Sequence, residues 1–439
     1  HPGSRYASSQ AYNFDLYLLF IERAMRLLSP AGRLGMIVPN RFTNGLAGAP
    51  IRAQLAPRIE RLVHFGQEQI FERRTTYSAL VIAGPSTSDP AVFELVSDLA
   101  SWRSGVPGEV GEVERARLDS GVWPIASAAQ AAIFDKMEGA AIAHLGDADW
   151  VRIFVGVQTS KDDVFFLSPD ESRSTPDLVA FTDTEGEQWS IERSILRPAL
   201  RDRVLKPYDY RPVPDAHVIF PYSIEPPAAG RVRGKATVHS PEVMKAQYPR
   251  ALEYLSSKRA LLEKRNVSPD PGDCFWAYGR SQSLTELDPP KLIARVLSLS
   301  PQYVYDPDGL VVPGGGDGGP YYLLRPQAPC PYSIETLTAL LSHPLVDAFV
   351  AAHGKAYRGR YIVHRKASLS LVPVPPLAEA EQRRIDEGVR EIRDLVVRQR
   401  TEADSVVLAS LEGRAASVRR DIEAVITSAF GLSAADVGA

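Results

Sequence analysis

The sequence predicts an α/β fold in its first part and paired helices at its end, and three observations support this. Residues 15–83 alternate between helical periodicity and short apolar runs. Residues 84–122 are polar and rich in Ser, Pro and Gly, as expected at a domain boundary. Residues 379–430 are highly charged, with apolar side chains at helical spacing. Because helices and strands alternate in the first part, we expect a mostly parallel sheet there.

The first helix and strand are well marked. Asp15 to Leu28 carries apolar residues at helical spacing, and Pro30 and Gly32 follow as end signals. The run RLGMIVP at residues 33–39 is short, apolar and bounded by turn residues, which is typical of a buried parallel strand. The helical positions are Leu16, Leu19, Phe20, Met25 and Leu27.

Three further elements complete this region. A second helix is predicted around residues 50–56, with strands at 59–65 and 78–83. Three strands form only part of a doubly wound sheet. We therefore expect an exposed edge, unless a missing part of the protein covers it.

Composition limits the functional classes. The 439 residues are 44% hydrophobic and 23% charged, which predicts two or three globular domains. Two cysteines and eight scattered histidines show no zinc spacing, so no metal is expected. The apolar runs are shorter than the roughly 18 residues of a membrane span, which predicts a cytoplasmic protein. The net charge of -3 means that any nucleic-acid surface must be a local basic patch.

Two stretches of the first region form a family pattern. They read NFDLYLLFIERAMRLLSPAGRLGMIVPNRF and QIFERRTTYSALVIAG. They resemble the part that follows the catalytic motif in adenine-specific DNA methyltransferases of the TaqI type. The resemblance implies that residues 1–85 form the C-terminal part of a methyltransferase catalytic domain, with 86–122 as a linker. Because the chain starts at His1, we also expect that it derives from a longer polypeptide, whose N-terminal methyltransferase half is missing here.

The resemblance assigns roles to two aromatic residues. Phe71 matches the family phenylalanine that stacks on the target adenine after it has been flipped out of the duplex. Phe20 matches a position that packs near the adenine ring of S-adenosylmethionine. The alternatives are structural: Phe71 as a loop aromatic tucked under the sheet, and Phe20 as a core residue of its helix.

Two family features do not occur in this sequence. One is the glycine-rich turn that holds the methyl donor, and the other is the Asn/Asp/Ser-Pro-Pro-Tyr/Phe motif that grips the target amino group. The Pro-Pro pairs begin at Pro226, Pro289 and Pro375, without the required neighbours. We therefore expect this chain alone to be inactive.

A second resemblance covers residues 123–377. Its segments include RIFVGVQTSKDDVFFL, SILRPALRDRVLKPYDYRPV, PPKLIARVLSLSPQYVYDPDG and YSIETLTALLSHPLVDAFV. Their order is similar to that in the target-recognition domain of the same methyltransferases. The resemblance implies an α+β domain that binds double-stranded DNA, in which Lys and Arg contact phosphates and a few side chains read base edges.

Candidate DNA contacts come from two segments. In GVQTSK, residues 156–161, the polar side chains resemble a family loop at the DNA-facing cleft. In GKAYRGRYIVHRK, residues 354–366, basic residues alternate with tyrosines and glycines, which suits a close approach to a duplex backbone. The alternative for these residues is a solvated surface. The candidates are Thr159, Ser160, Lys161, Lys355, Tyr357, Arg358, Arg360, Tyr361, Arg365 and Lys366.

Three further basic clusters are weighed against the same alternative. The cluster at 258–265 has helical spacing and acidic neighbours, which favours a solvated face. The clusters are Arg193, Arg197, Arg201, Arg203 and Lys206; Arg231, Arg233 and Lys235; and Lys258, Arg259, Lys264 and Arg265.

The last segment, residues 378–439, predicts a helical hairpin that packs on the recognition domain or on a partner subunit. One apolar stripe consists of Ile385, Val389, Ile392, Leu395 and Val396; the other consists of Leu408, Leu411, Val418, Ile422 and Val425.

Two functions follow from the resemblance. The first is the C-terminal portion of an enzyme that transfers a methyl group from S-adenosylmethionine to the amino group of adenine in DNA by base flipping. This would serve restriction-modification or phage defence, with restriction or defence subunits as further partners. The alternative is a non-catalytic DNA-binding specificity subunit.

Overall fold

The first region builds a sheet with three helices beside it. The structure is a computed structural model that describes the chain except residues 1–4, 11–13, 67, 72–75, 86–89, 124–125, 148–149, 204, 209, 227–233, 315–318, 355–360 and 438–439. The helices are α1 (Leu16–Leu27), α2 (Ala49–Leu55) and α3 (Leu99–Arg103). The strands are β1 (Leu34–Pro39), β2 (Ile59–His64), β3 (Ser78–Ala83), β4 (Ala91–Leu95) and β5 (Glu109–Val113).

The sheet is mixed, so the prediction of mostly parallel strands was wrong. Its order is β1-β3-β2-β4-β5; β3 is antiparallel to β1 and β2, and β5 is antiparallel to β4, while β2 and β4 are parallel. The described residues of 65–77 contain no helix. Because a parallel return needs a crossover, usually a helix, β3 instead folds back beside β2. β1 and β2 therefore end at the same edge of the sheet.

Two features of this sheet bear on the expected boundaries. β1 lies at one end of the strand order, and its Ile37 is 50% exposed, as expected for an open edge. The segment 86–122, expected as a linker with some secondary structure, instead adds β4 and β5 to the sheet. Each of these strands has only five residues, and the glycines and prolines of the segment favoured the prediction of a linker.

Trp123 closes the first core. Its ring is fully buried and contacts Phe42 and Phe93, with centroid distances of 6.0 and 5.9 Å. Its backbone N–H donates to Thr43 O at 2.9 Å, and its indole N–H donates to Asp119 O at 3.0 Å. Trp123, predicted as the start of the recognition domain, thus packs with the first sheet.

The second region consists mainly of antiparallel strands. Its central sheet has the order β17-β15-β18-β7. The strands are β6 (Ala143–His144), β7 (Val151–Val155), β8 (Phe166–Leu167), β9 (Leu178–Thr182), β10 (Gln188–Glu192), β11 (Leu196–Ala199), β12 (Ala216–Ile219), β13 (Tyr222–Glu225), β14 (Lys235–Val238), β15 (Lys291–Arg295), β16 (Leu297–Ser298), β17 (Tyr303–Asp306), β18 (Tyr321–Pro326), β19 (Ile362–Val363) and β20 (Pro373–Val374).

Helices cover this sheet. They are α4 (Ala128–Ala140), α5 (Asp162–Phe165), α6 (Pro241–Gln247), α7 (Pro249–Ser257), α8 (Arg259–Leu262), α9 (Ile334–Ser342), α10 (Pro344–His353) and α11 (Lys366–Ser370). In the described part of the chain, no single helix has the length and hydropathy of a membrane span. Only α9 and α10 together meet that criterion, as a pair bent by 66°.

The central sheet separates two cores. Successive side chains of a strand point to opposite faces, and β15 shows this directly. Leu292 and Ala294 join a core with α9, α10 and the C-terminal helices, whereas Ile293 joins a core with the small sheets and α7. The sheet thus connects the C-terminal helices on one side to the small sheets on the other.

The C-terminal segment forms the predicted pair of helices, α12 (Glu379–Gln399) and α13 (Ser405–Ala429), followed by α14 (Ala434–Val437). They run antiparallel, with the Arg414 guanidinium 2.6 Å from a Glu391 oxygen. The sequence left their packing partner open. The structure places them on the second region, where Arg393 lies 2.8 Å from Glu335 and 4.2 Å from the centre of the Tyr305 ring.

His343 joins α10 to α13 in its neutral form. Its Nδ1 accepts the N–H of Leu345, while Nε2–H donates to Glu423 O and Thr427 Oγ1, all at 3.1 Å. Burial lowers the pKa of His343 to about 4. The unfolded chain takes up this proton near pH 6.5, and the folded chain does so only near pH 4. Stability is therefore lost as the pH falls between these values.

His343→Asn should remove this part of the acid sensitivity. When the pH falls from 7 to 5, protonation of His343 should lower the unfolding free energy of the wild-type protein by about 2 kcal/mol. Asparagine does not titrate in this range, and its side-chain oxygen can still accept a hydrogen bond at the start of α10. Denaturant unfolding at both pH values measures the difference. His144→Asn is the control, because two neighbouring carboxylates oppose desolvation and raise the pKa of His144. If His343→Asn lost as much stability between pH 7 and pH 5 as the wild type does, protonation of His343 would not be the cause of the loss.

Candidate functional site

Phe71 lies at the sheet edge where β1 and β2 both end. Asn40, the residue after β1, connects the two loops at this edge. Its backbone N–H donates to Tyr77 O at 2.9 Å, and its side-chain amide donates to Gly66 O at 3.2 Å. The carboxyl edge of parallel strands is where open α/β sheets place their ligands. The loop that carries Phe71 is therefore at the expected position for a ligand contact.

The backbone beside Phe71 is anchored, while its ring is open to solvent. Arg103 donates from Nη2 to Ile70 O at 3.0 Å. Ile70 also packs against a small buried cluster, and the Phe71 side chain is 49% exposed. The ring is thus half exposed rather than tucked under the sheet, and it is accessible for stacking. The cluster consists of Val63, Phe65, Val96 and Leu99.

Phe20 lies on the exposed face of α1. It is 63% exposed, and Leu16 and Leu27 beside it are 64% and 66% exposed. The core alternative therefore does not describe Phe20 here; Leu18, Ile21 and Met25 form the buried face. The ring offers one apolar surface to an adenine. Because it is not enclosed, the described residues do not by themselves form a pocket that fits S-adenosylmethionine.

A cleft of about 800 Å³ lies between the first and second regions, and we call it the interdomain cleft. Asn44, in the loop after β1, bridges the regions by donating from Nδ2 to Gly354 O at 2.5 Å. Both regions contribute cations and polar groups to the walls, together with one carboxylate, Asp15, and several apolar side chains. Residues on the walls include Arg41, Asn44, Leu46, His353, Arg365 and Lys366.

The predicted basic segment reaches this cleft at its C-terminal end. Arg365 and Lys366 line the cleft, and Tyr361 is 38% exposed. His364, which precedes Arg365, is buried. Its Nε2 lies 2.8 Å from Oδ1 of Asp347 on α10, and this contact anchors the segment on that helix. The remaining candidates Lys355, Tyr357, Arg358 and Arg360 lie outside the described residues.

A second depression, of about 400 Å³, surrounds the predicted GVQTSK loop, and we call it the loop pocket. Ser160 is exposed, and Lys161 lines the pocket with Arg280. The pocket also contains two carboxylates: Asp162 accepts from Thr159, and Asp163 pairs with Arg201. A Cβ on Gly279 would lie 1.9 Å from Ser160 Oγ, so only glycine permits this approach. The two loops are thereby held together with their polar side chains at one surface.

Thr159 has a different position from the one predicted. Its side chain is fully buried; Oγ1 donates to Asp162 Oδ1 at 2.5 Å and accepts the N–H of Lys161 at 2.9 Å. Arg265 donates to Thr159 O at 2.6 Å. Thr159 therefore shapes the loop, and its buried side chain is not accessible to a ligand.

Several basic residues of the other clusters are used inside the protein. Lys258 is 5% exposed and lies 2.7 Å from Asp183 and 2.8 Å from Glu185, so it is neither a solvated residue nor a DNA contact. Arg265 is held by three carbonyl oxygens, and burial lowers its pKa to about 10. Arg197 lies over the Phe220 ring at 4.0 Å. A cluster of basic residues in the sequence therefore does not show which of their side chains are buried.

The remaining cluster members are described as follows. Arg201 pairs with Asp163, and Arg259 pairs with Glu263. Arg193 and Arg203 donate to carbonyl oxygens. Lys206, Lys235 and Lys264 are exposed, and Arg231 and Arg233 lie outside the described residues.

The carboxylates of Asp183, Glu185 and Glu187 converge in a group that could hold a cation. The Lys258 ammonium already lies 2.7 Å from Asp183 and 2.8 Å from Glu185. Two of the three carboxylates are thus already paired with an internal cation, and the group by itself does not establish a metal site.

Sequence reasoning missed residues that only the fold brings together. Arg280 joins the loop pocket from a distant loop, and Gln282 of that loop donates from Nε2 to Gln158 Oε1 at 3.1 Å. Leu46 in the interdomain cleft is 82% exposed. The sequence feature that could have drawn attention to Leu46 is a single leucine within the turn-like run TNGLAG, residues 43–48.

Known proteins share this chain's sequence pattern. Residues 2–71 match the family model described as Eco57I restriction-modification methylase. The type II restriction enzyme and methyltransferase RM.Eco57I of Escherichia coli is 29% identical over 381 residues. The type II methyltransferase M.PaeR7I of Pseudomonas aeruginosa is 24% identical over 385 residues. The chain is similar in sequence to these restriction-modification methyltransferases.

The matches to these methyltransferases extend well beyond the first sheet. They cover 83% of this chain for RM.Eco57I and 84% for M.PaeR7I. The chain spans 37% of the first relative and 60% of the second. Both regions of the chain thus belong to the shared part of these proteins.

A solved restriction-modification enzyme has the same fold. The type IIL enzyme MmeI, solved in complex with DNA, aligns with a TM-score of 0.57 at 13% sequence identity. The alignment covers 97% of this chain and 51% of MmeI. The likeness establishes a shared fold across nearly all of the present chain.

Proposed function

We propose that this chain is the C-terminal portion of a site-specific, adenine-specific DNA methyltransferase in a restriction-modification or phage-defence system. The observation that carries the proposal is the position of Phe71. Its ring is 49% exposed at the sheet edge where β1 and β2 end, on a backbone anchored by Arg103. The related methyltransferases support the reaction class.

In this proposal Phe71 acts on a base that has left the duplex. A flipped adenine loses the stacking of its neighbours, and an aromatic face replaces about 1–3 kcal/mol of it. The hydrogen bond from Arg103 to Ile70 O holds the backbone next to the ring, which limits the ordering that is required when DNA binds. The ring positions the adenine; the groups that polarise its amino nitrogen belong to a motif outside this sequence.

Double-stranded DNA is the proposed partner of the interdomain cleft and the loop pocket. Arg41, Arg365 and Lys366 line the cleft, and Lys161 and Arg280 line the pocket. Cations on both regions suit a duplex that lies across them, because phosphate contacts dominate DNA affinity. The exposed Ser160 and Tyr361 complete the proposed set of contacts.

S-adenosylmethionine is the proposed methyl donor. When bound, it would supply the methyl group for transfer to the amino nitrogen. Phe20 offers it one apolar face, while the other walls of its pocket are assigned to the missing N-terminal half. That half would also lie beside the open edge of β1, where Ile37 is 50% exposed.

Methyl transfer by the full-length protein tests the proposal. The protein is incubated with duplex DNA and labelled S-adenosylmethionine, and the digested nucleosides are analysed for N6-methyladenine. We expect label in adenine and none when this chain is assayed alone. DNA binding by the full-length protein without any methylation would refute the proposal, and would favour the alternative of a non-catalytic specificity subunit.

Lys161→Ala should weaken binding to every DNA sequence about threefold and reduce the salt slope by about one phosphate contact. The reason is that Lys161 lines the loop pocket as a point charge rather than as a base reader. Fluorescence anisotropy with specific and unrelated duplexes over a salt series measures both quantities. The matched control is Lys245→Ala, an exposed lysine on α6. An unchanged salt slope would remove Lys161 from the interface.

A further inference from the structure

Leu46 is displayed in the interdomain cleft in an unusual way. Its exposed fraction of 82% is the largest of any large apolar side chain among the described residues. Burying a leucine is worth about 1.5–3 kcal/mol, so a fold without another use for the side chain would gain by covering it. Single exposed apolar side chains are nevertheless common on protein surfaces, so the meaning of Leu46 depends on the groups around it.

The turn that carries Leu46 is rigidly braced. The Arg52 side chain, 3% exposed, donates from Nη1 to Phe42 O at 2.6 Å and to Gly45 O at 2.8 Å. A Cβ on Gly48 would lie 2.3 Å from Phe42 O, so the chain packs there with no space for a side chain. The backbone on both sides of Leu46 is therefore held against the core of the first region.

The walls around Leu46 combine cations with apolar side chains, among them Leu371, which is 39% exposed, and they include one carboxylate, Asp15. Arg41, Arg365 and Lys366 line the same cleft, and Asn44 bridges it to Gly354. A protein partner that covered the leucine would meet these charges in an apolar contact. A nucleic acid offers both complements at once, since its phosphates match the cations and its stacked bases match the leucine.

Leu46 also belongs to the same sheet edge as Phe71. Asn40 starts the turn that leads to Leu46, and its side chain contacts Gly66 in the loop that leads to Phe71. The two residues thus belong to the loops that follow β1 and β2, and Asn40 connects these loops. One is aromatic and suited to stacking on a free base; the other is aliphatic and suited to insertion between bases.

We propose that Leu46 is a wedge that enters the DNA duplex at the place that the target base vacates when it is flipped. This rests on the proposed function, because only a base-flipping enzyme creates such a gap. Proteins that unstack DNA insert side chains such as leucine at the altered base step. The rigid turn suits this role, since a wedge must not yield when it displaces a base. Leu46 is accordingly a positioning residue for the flipped state.

The test compares full-length Leu46→Ala with the wild type on two duplexes. Both carry 2-aminopurine at the target position, and in one the opposite nucleotide is abasic, so that the target is already unpaired. We expect the variant to give about fivefold less fluorescence increase on the paired duplex and a near-normal increase on the abasic one. Single-turnover methylation of matching adenine duplexes should follow the same pattern, with similar DNA binding.

Two variants serve as controls. Leu46→Met keeps an apolar side chain of similar length and should restore flipping on the paired duplex. Val106→Ala removes an apolar side chain that is 57% exposed in the link between α3 and β5, and should behave as the wild type.

The outcomes separate the wedge from the proposed function. Normal flipping by Leu46→Ala on the paired duplex would overturn the wedge, as would an equal defect on both duplexes with a lowered melting temperature. If the wild-type protein neither flips the base nor methylates either duplex, the proposed function itself fails, and the wedge fails with it.

Discussion

Replacing Phe71 with alanine in the full-length protein is expected to slow methyl transfer about tenfold or more, because the flipped adenine loses an aromatic face worth about 1–3 kcal/mol. Binding of the duplex should change little, since the proposed phosphate contacts are made by other residues, in the interdomain cleft and the loop pocket. Single-turnover methylation with labelled S-adenosylmethionine separates the chemical step from product release. Target-site 2-aminopurine fluorescence reports the stacking directly.

The matched control keeps an aromatic face at the same position. Phe71→Trp should retain most of the rate, whereas Phe71→Leu, which preserves apolar bulk, should behave like the alanine variant. Equal rates for Phe71→Ala and the wild type would remove Phe71 from the site, and would leave it as an exposed loop residue.

Replacing Lys291 with methionine should destabilise the second region by about 3–5 kcal/mol, since it leaves a buried carboxylate without its cation. Lys291 Nζ lies 2.6 Å from Asp306 Oδ2, and both side chains are fully buried. Asp306 also accepts the backbone N–H groups of Asp308, Gly309 and Leu310, which fixes the turn after β17. Denaturant unfolding followed by intrinsic fluorescence measures the loss.

A double variant tests the reason for this loss. Lys291→Met combined with Asp306→Asn removes both charges, while the amide oxygen still accepts the backbone N–H groups of the turn. Most of the lost stability should return, because desolvation of an unpaired charge is the main cost. A double variant as unstable as Lys291→Met alone would show that shape, rather than charge, determines the stability here.

The local elements of the first region could be predicted from the sequence, but their pairing could not. The bounds of α1 and β1 follow from apolar spacing and from the turn residues around them, and they agree with the structure within about two residues. Strand direction depends on contacts between distant segments. The antiparallel β3 was therefore missed, although its bounds were correct.

In the candidate site too, residues recognised from local sequence were predicted, whereas residues brought together by the fold were not. The positions of Phe71 and Lys161 came from family spacing, which records local order along the chain. Leu46 and Arg280 became apparent only when the fold placed them in the cleft and the pocket. The errors at Lys258 and Arg265 have the opposite origin, because composition shows a charge but not the internal partners that hold it.

The burial of Trp123 in the first core has a practical consequence for exchanging recognition modules between related enzymes. Its ring packs against Phe42 and Phe93, so a graft that begins at this tryptophan would remove part of the host's own interior. The C-terminal helices share a core with the central sheet, so they must be included in the grafted segment. A transplantable cassette therefore starts after Trp123 and extends through α13.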